Sequence, residues 1–192
     1  MIGFRNMRLW QFAAGAAFAC AVIAAEKASA EILDAAPNGF TVRETAHVAA
    51  SPDKVYAALI QPALWWSAKH TFSGNAANLV LDAKAGGCWC ETLPGGGSTE
   101  HMRVVYAMPG KGLVLRGAMG PMQTMAVEDV MAWSLAPANG GTDVTLVSAI
   151  GGYAKDGLDK ALSHIVDVVM GQQVGRLKAY VETGTTPQET KP

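Results

Sequence analysis

The stretch of this 192-residue sequence with the most reactive side chains is GGCWCETLPGGGSTEH, residues 86–101. Cys88 and Cys90 stand one residue apart, Glu91 follows them, and His101 comes after a glycine-rich loop. Thiolates, imidazoles and carboxylates bind metal ions, two thiols can form a disulfide, and a buried carboxyl can act as a general acid or base. The stretch therefore allows three interpretations: a metal or redox site, the wall of a ligand pocket, or a plain hairpin.

The metal interpretation depends on how the hairpin closes. PGGG at 94–97 predicts a four-residue loop, and closing it would place Cys90 opposite His101. Two thiolates and an imidazole would then share one surface. Structural zinc needs four ligands, catalytic zinc needs three and a water, and the usual cysteine spacing is C-x₂-C. We therefore expect no metal site.

The disulfide interpretation depends on the distance between Cys88 and Cys90. Residues two apart on an extended strand have Cα atoms roughly 6.6 Å apart, which is near the upper limit for a bridge. The favoured interpretation is therefore two half-buried thiols on a hairpin whose opposite face lines a pocket. A bridge requires Gly86 and Gly87 to break the strand.

The first thirty residues have the pattern of a cleaved export signal. Arg5 and Arg8 precede an uncharged apolar run, and ASA then ends at Ala30. A membrane anchor and a lipoprotein attached through Cys20 are the less favoured alternatives. The sequence thus predicts a periplasmic or secreted protein with a signal peptide at 1–30, a single domain at 31–183 and a flexible tail at 184–192.

Composition narrows the classes of partner. The formal net charge is −1 and half of the residues are hydrophobic. With no basic stripe, the sequence gives no reason to expect binding to nucleic acid. We expect no cofactor and no stable membrane anchor once the signal is cleaved, and the oligomeric state stays open.

The order of predicted elements is strand, helices, a run of strands and one long helix. FTVRETAHV at 40–48 alternates as a strand, and SPDKVYAALI begins a helix with Ser51 as N-cap. Pro62 interrupts this helix before a second short helical turn. Strand patterns then fill roughly eighty residues, and apolar residues at helical spacing return from Leu158 to Val181. This order predicts an α+β fold in which a curved antiparallel sheet wraps around a long C-terminal helix.

Several segments carry a resemblance to a known superfamily. They are SPDKVYAAL with the later Pro and WW at 51–66, GGCWCE at 86–91, EHMRVVYAMPGKGLVLRGAMGPM at 100–122, GGTDVTL at 140–146 and VDVVMGQQVGRLKAYVE at 166–182. The chain resembles the START/Bet v 1-like (SRPBCC, helix-grip) superfamily, in the branch of polyketide cyclases and Hsp90-ATPase-activator homologues. The resemblance implies a sheet and helix that enclose an apolar cavity. It leaves the function open, because the superfamily contains lipid binders, cyclases and hydrolase-like enzymes.

Strand alternation predicts which side chains face this cavity, provided that no bulge follows Gly86 and Gly87. The polar groups expected to face inward are Glu44, Glu91, Tyr106 and Ser148, with His101 and Arg103 outward. Glu91 and Tyr106 are the candidate catalytic residues. The candidate ligand-binding residues are Trp66, Trp89, Met102, Val104, Leu115, Trp133, Leu146 and Ser148.

Three functions follow as hypotheses. The favoured one is an exported module that binds a hydrophobic small molecule or lipid in an internal cavity, for which the many methionines are suited. The first alternative is a polyketide cyclase- or dehydratase-like enzyme in which Glu91 acts as general acid or base and Tyr106 orients a carbonyl. The second alternative is a protein-interaction module. Whether the protein is an enzyme stays uncertain at this point.

Overall fold

The structure, a computed structural model, describes residues 29–159 and 161–189, which form one antiparallel sheet with a long helix packed against it. The strands are β1 Ser29–Ala36, β2 Gly39–Val48, β3 Leu79–Leu81, β4 Cys88–Thr92, β5 Ser98–Met108, β6 Gly112–Gly117, β7 Ala126–Ala138 and β8 Gly141–Tyr153. The helices are α1 Pro52–Leu59 and α2 Ala161–Thr183. This architecture confirms the predicted α+β helix-grip fold.

The strand order in the sheet is β1-β2-β8-β7-β6-β5-β4-β3. The strand predicted at 40–48 is β2, and it pairs along its whole length with β8. The edge strand β1 was not predicted, and its first residues, Ser29 and Ala30, pair with Thr45 and Glu44. Residues 1–28 of the predicted export signal lie outside the described residues, so its cleavage stays a prediction.

Helix α1 begins as its sequence predicts. The Ser51 side chain accepts a hydrogen bond from the Lys54 amide, Pro52 occupies the first turn and Asp53 adds a favourable charge there. The second helical turn predicted after it is a short 3₁₀ helix, Pro62–Leu64. These short elements lead the chain from β2 towards the sheet edge formed by β3.

Helix α2 closes the concave face of the sheet. Its buried positions recur at steps of three and four residues, namely Ser163, Val166, Met170, Gln173, Val174, Leu177 and Val181. At Gly171 a Cβ atom would lie 3.1 Å from Oε2 of Glu44, so glycine permits a close approach of α2 to β2 at this position. At Gly175, by contrast, a Cβ would meet no described atom within 4 Å. No helix within the described residues is long and apolar enough to cross a membrane.

The described part of the predicted flexible tail, residues 184–189, is held against the domain. Glu189 accepts hydrogen bonds from the Ser67 hydroxyl at 2.8 Å and the Ala68 amide at 2.9 Å, and it pairs with Arg176 at 3.2 Å. These contacts anchor Glu189 to the domain, whereas the flexibility of the tail 184–192 stays a prediction.

Glu44 is an unusual ionisable group in the middle of this packing. Its side chain points inward from β2, as predicted, and is fully buried. Neither carboxylate oxygen has a hydrogen-bond partner among the described residues. Burial, reinforced by the nearby carboxylate of Asp167 on α2, raises the pKa of Glu44 to about 8. The group is therefore mostly protonated at neutral pH.

We expect Glu44→Gln to make the protein less sensitive to alkaline pH. A carboxyl whose pKa rises from 4.5 to about 8 on folding destabilises the folded state progressively as the pH increases between those values. The substitution should therefore raise the unfolding temperature by about 10 °C at pH 8.5 and change it little at pH 5. Calorimetry across this pH range measures the effect.

The matched control is Glu31→Gln, which neutralises an exposed carboxylate paired with Arg43. It should shift the unfolding temperature little at either pH. An equal shift from Glu44→Gln at pH 5 and pH 8.5 would contradict the assignment of a raised pKa.

Candidate functional site

An apolar cavity lies between the N-terminal half of α2 and two loops. Its volume is about 470 Å³, and its walls come from residues 66–72, residues 119–122 and residues 162–170, together with His101. The loop residues Met119 and Met122 and the helix residue Met170 are all buried beside it. Methionine side chains are flexible and polarisable, so these walls suit apolar ligands of varied shape.

His101 reaches this cavity because of a β-bulge. In the β4–β5 pairing, Trp89 lies opposite Met102 but Cys90 lies opposite Glu100, which leaves His101 as the extra residue. The bulge turns the His101 side chain inward, where it is 3% exposed. The prediction that His101 faces outward opposite Cys90 is therefore wrong. From the bulge to the loop the pairing is shifted by one residue from the predicted register, so that Thr92 lies opposite Ser98.

Inside the fold, His101 meets Glu91. Trp89 and Glu91 are buried on the inner face, as predicted. The glycines at 86 and 87 therefore do not reverse the predicted alternation of β4. His101 Nε2 lies 2.9 Å from Glu91 Oε2. The Phe72 and Ser73 amides also donate to the two carboxylate oxygens of Glu91, Phe72 at 3.0 Å. One carboxylate thereby connects β4, β5 and the loop that lines the cavity.

These donors determine the charge of Glu91. Burial alone would raise the pKa of this carboxyl, but hydrogen bonds from Ser73, Phe72 and His101 outweigh burial and hold the pKa below its ordinary value. An ionised carboxylate only accepts hydrogen bonds, so His101 donates through Nε2–H. Nδ1 then accepts from the side-chain amide of Gln123 at 3.3 Å. The phenyl ring of Phe72 stacks on the imidazole, with ring centres 5.7 Å apart.

Four tryptophans form a continuous layer beside the cavity. Trp66 lines it and meets Trp89 edge to face at 5.0 Å and Trp65 at 5.5 Å, while Trp65 meets Trp133 at 6.1 Å. Trp66 also donates its indole N–H to the His70 carbonyl at 3.1 Å. This layer links the cavity wall to the centre of the sheet.

The predicted ligand-binding residues separate into two groups. Trp66 lines the cavity. The other seven are buried in the core beyond its walls: Trp89, Met102, Val104, Leu115, Trp133, Leu146 and Ser148. Their inward direction matches the predicted strand parity, whereas a role in ligand binding stays a prediction.

Tyr106, the second candidate catalytic residue, lies outside this interior. A second bulge, at Val105, shifts the β5–β6 pairing so that Val104 faces Leu115 but Tyr106 faces Val114. Tyr106 is consequently 46% exposed, and the prediction that it faces inward beside Glu91 is wrong. Strict strand alternation does not predict a bulge at a position where the sequence has no glycine to mark it.

Sequence reasoning also missed a buried carboxyl on β7. Asp129 is fully buried and accepts a hydrogen bond from Ser148, which faces inward as predicted, at 3.3 Å. Burial, partly offset by this hydrogen bond, raises the pKa of Asp129 to about 7. The alternation of β7, in which Asp129, Met131 and Trp133 share the inner face, was the signal that could have found it.

The two cysteines lie on the outer face of the sheet, as predicted, but they are joined. Cys88 and Cys90 form a disulfide with Cα atoms 5.4 Å apart. This corrects the expectation of two free thiols, which assumed a fully extended strand. Gly86, two residues before β4, adopts φ +82°, and a Cβ on Gly87 would collide with the Asp82 carbonyl oxygen. Both glycines therefore mark the break that a bridge requires.

Comparison with known proteins identifies a family and a common fold. The family described as polyketide cyclase / dehydrase and lipid transport matches residues 39–182. No curated protein matches the sequence. All the structural similarities that follow lie below 25% identity and therefore concern the fold alone.

Three solved structures illustrate this fold. The Enterococcus faecalis protein EF2215, a conserved protein of unknown function, aligns over 85% of this chain and 82% of its own, with TM-score 0.60 and 14% identity. CV1439 from Chromobacterium violaceum aligns over 76% and 99%, with TM-score 0.52 and 22% identity. Aha1 from Colwellia psychrerythraea, solved as a dimer, aligns over 75% and 97%, with TM-score 0.51 and 18% identity.

We expect Glu91→Gln to destabilise the protein by about 3 kcal/mol at pH 7, because it removes a buried charge and turns an amide donor towards other donors. A carboxylate with a lowered pKa stabilises the fold above its ordinary pKa and loses that effect as the pH falls through the lower value. The difference in the free energy of unfolding between the variant and wild type should therefore become smaller in acid. Urea unfolding at pH 7 and pH 3 measures it.

The matched control is Glu100→Gln, which changes a neighbouring carboxylate on the same hairpin whose side chain is 42% exposed. It should cost less than about 1 kcal/mol. Equal stability losses from the two variants would contradict the role assigned to Glu91.

Proposed function

This chain belongs to the polyketide cyclase / dehydrase and lipid transport family, and from that premise we propose that it binds a hydrophobic small molecule or lipid in the cavity beside α2. The family supports a ligand-binding SRPBCC domain in general terms. The chemistry of the cavity supports the more specific proposal of an apolar ligand.

The observation that carries this proposal is the cavity itself. Its volume of about 470 Å³ falls within the range of roughly 300–1,000 Å³ that small-molecule sites occupy. Its walls are apolar except for a few groups, among them His70 and His101. A ligand with an apolar body and one polar group would bury the body against Met122 and Val169 and direct the polar group towards an imidazole.

Export remains part of the proposal. The predicted signal at 1–30 supports it, and so does the Cys88–Cys90 bridge, because disulfides persist outside the reducing cytosol. A periplasmic or secreted carrier would meet its ligand outside the cytoplasm.

A second candidate function is an enzyme in which His101 contacts the substrate. The observation that favours it is the buried pair of His101 and Glu91, since a carboxylate that accepts from one imidazole nitrogen fixes the tautomer and leaves the other nitrogen as an acceptor. Catalysis would require the Gln123 side chain to give up its hydrogen bond to Nδ1 of His101. Glu91 would then be a positioning residue, which differs from the acid or base role first expected of it, and Tyr106 would take no part.

The mass and the chromatographic retention of the recovered ligand together distinguish these functions, because a cyclised isomer keeps the mass of its substrate. A binding module returns an incubated ligand unchanged, whereas a cyclase or dehydratase returns a product, which in the case of dehydration is lighter by one water. Native mass spectrometry followed by denaturing extraction and chromatography makes this comparison.

We expect Val169→Trp to weaken the binding of a dansylated fatty acid at least about tenfold, because the larger side chain fills the cavity and the ligand loses apolar burial. Val169 lines the cavity and is only partly buried, so the change should leave the fold intact. Fluorescence titration measures the affinity, and circular dichroism checks the fold.

The matched control is Val168→Trp, at the adjacent helix position. Val168 is 57% exposed and does not line the cavity. Its affinity for the probe should equal that of wild type. Equal affinities of wild type, Val169→Trp and Val168→Trp for the probe would contradict the assignment of this cavity as the binding site.

A further inference from the structure

A cluster of possible metal ligands lies on the outer face of the sheet, opposite the cavity. We define the outer-face cluster as Cys88, Cys90 and Glu100, with Arg103 beside them. One ligand atom from each of the two cysteines and from Glu100 lies within 4.8 Å of the others. Both cysteines are partly exposed and Glu100 is exposed, so an ion from solution could reach them.

The bulge at His101 assembles this cluster. Without it Cys90 would face His101, but the bulge places Glu100 directly opposite Cys90. Directly opposed residues on antiparallel strands have Cβ atoms about 4.5–5.5 Å apart, which brings the carboxylate beside the sulfur. Cys88 completes the group because residues two apart on a strand share one face.

We propose that reduction of the Cys88–Cys90 disulfide converts the outer-face cluster into a Zn²⁺ site, with Cys88, Cys90 and Glu100 as ligands and water in the fourth position. Two reductant thiols, which become a disulfide, or a phosphine with water, which becomes a phosphine oxide, supply the two electrons and two protons that break the S–S bond and give two thiols. Zn²⁺ then displaces both thiol protons and binds the two thiolates. In the disulfide the two sulfurs are bonded to each other and cannot bind the metal as thiolates.

The geometry fits tetrahedral zinc. Zn–S bonds of 2.3 Å at a tetrahedral angle place two sulfurs about 3.8 Å apart. The Cα atoms of Cys88 and Cys90 are already 5.4 Å apart, closer than on a regular strand, so the sulfurs need only side-chain rotation to separate to that distance after reduction. Two thiolates with one carboxylate favour Zn²⁺ over Ca²⁺ or Mg²⁺, which prefer oxygen ligands alone.

The charges also balance. Two thiolates and Glu100 carry three negative charges, and Zn²⁺ with the guanidinium of Arg103 carries three positive ones. Arg103 Nη2 pairs with Oε2 of Glu100 and its Nη1 donates to the Gly86 carbonyl, so Arg103 holds the carboxylate in place. In the proposed site the other carboxylate oxygen, Oε1, would bind the metal.

Metal titration of the purified protein in its two redox states tests this proposal. After reduction with a phosphine and removal of the reductant without oxygen, we expect one equivalent of Zn²⁺ to bind. Co²⁺ in its place should give the near-ultraviolet charge-transfer band of thiolate ligands. The oxidised protein should bind neither ion. Glu100→Gln should weaken binding to the reduced protein at least about tenfold.

The matched control is Glu128→Gln, which also removes an exposed carboxylate that pairs with an arginine. Glu128 lies on β7 and its partner, Arg116, lies on β6. It should bind Zn²⁺ as wild type does. Three results would each overturn the proposal: no binding to the reduced protein, unchanged binding after Cys88→Ser with Cys90→Ser, or equal affinity of Glu100→Gln and Glu128→Gln. Ligand binding in the cavity is independent of all three.

Discussion

The ionised carboxylate of Glu91 is the group on which the candidate site depends. A charge with no exposed surface is tolerated only when donors surround it, and here the donors come from separate parts of the chain. His101 donates from β5, while the amides of Phe72 and Ser73 donate from the loop before β3. The cavity wall is therefore fixed by an electrostatic requirement as well as by apolar packing.

One inserted residue gives the two faces of the β4–β5 hairpin different chemistry. The bulge turns His101 inward, next to Glu91 and the apolar cavity, and places Glu100 outward, next to Cys90. Glu100 and His101 point to opposite faces of the sheet, and Gln123 contacts both residues. The proposed ligand binding on the inner face and the proposed redox-controlled metal binding on the outer face are therefore tested by separate experiments.

Strand alternation predicted the fold and much of its interior because burial repeats every second residue on a regular strand. It placed Glu44, Glu91 and Ser148 inward correctly. It failed at His101 and Tyr106, because the direction of each side chain is set by a bulge in the pairing of β5 with its neighbours β4 and β6. The disulfide was missed for a related reason: its feasibility depends on a local departure from extended geometry that sequence spacing does not report.

The tautomer of His101 is the most direct test of the account, since it reports the hydrogen bond to Glu91. Nitrogen-15 NMR of the histidine side chains, assigned with a His101→Asn variant, measures it at neutral pH. The account predicts a proton on Nε2 that exchanges slowly with water and a bare Nδ1. A proton on Nδ1, or an imidazole whose protons exchange freely, would contradict a buried carboxylate–imidazole pair at the centre of the site.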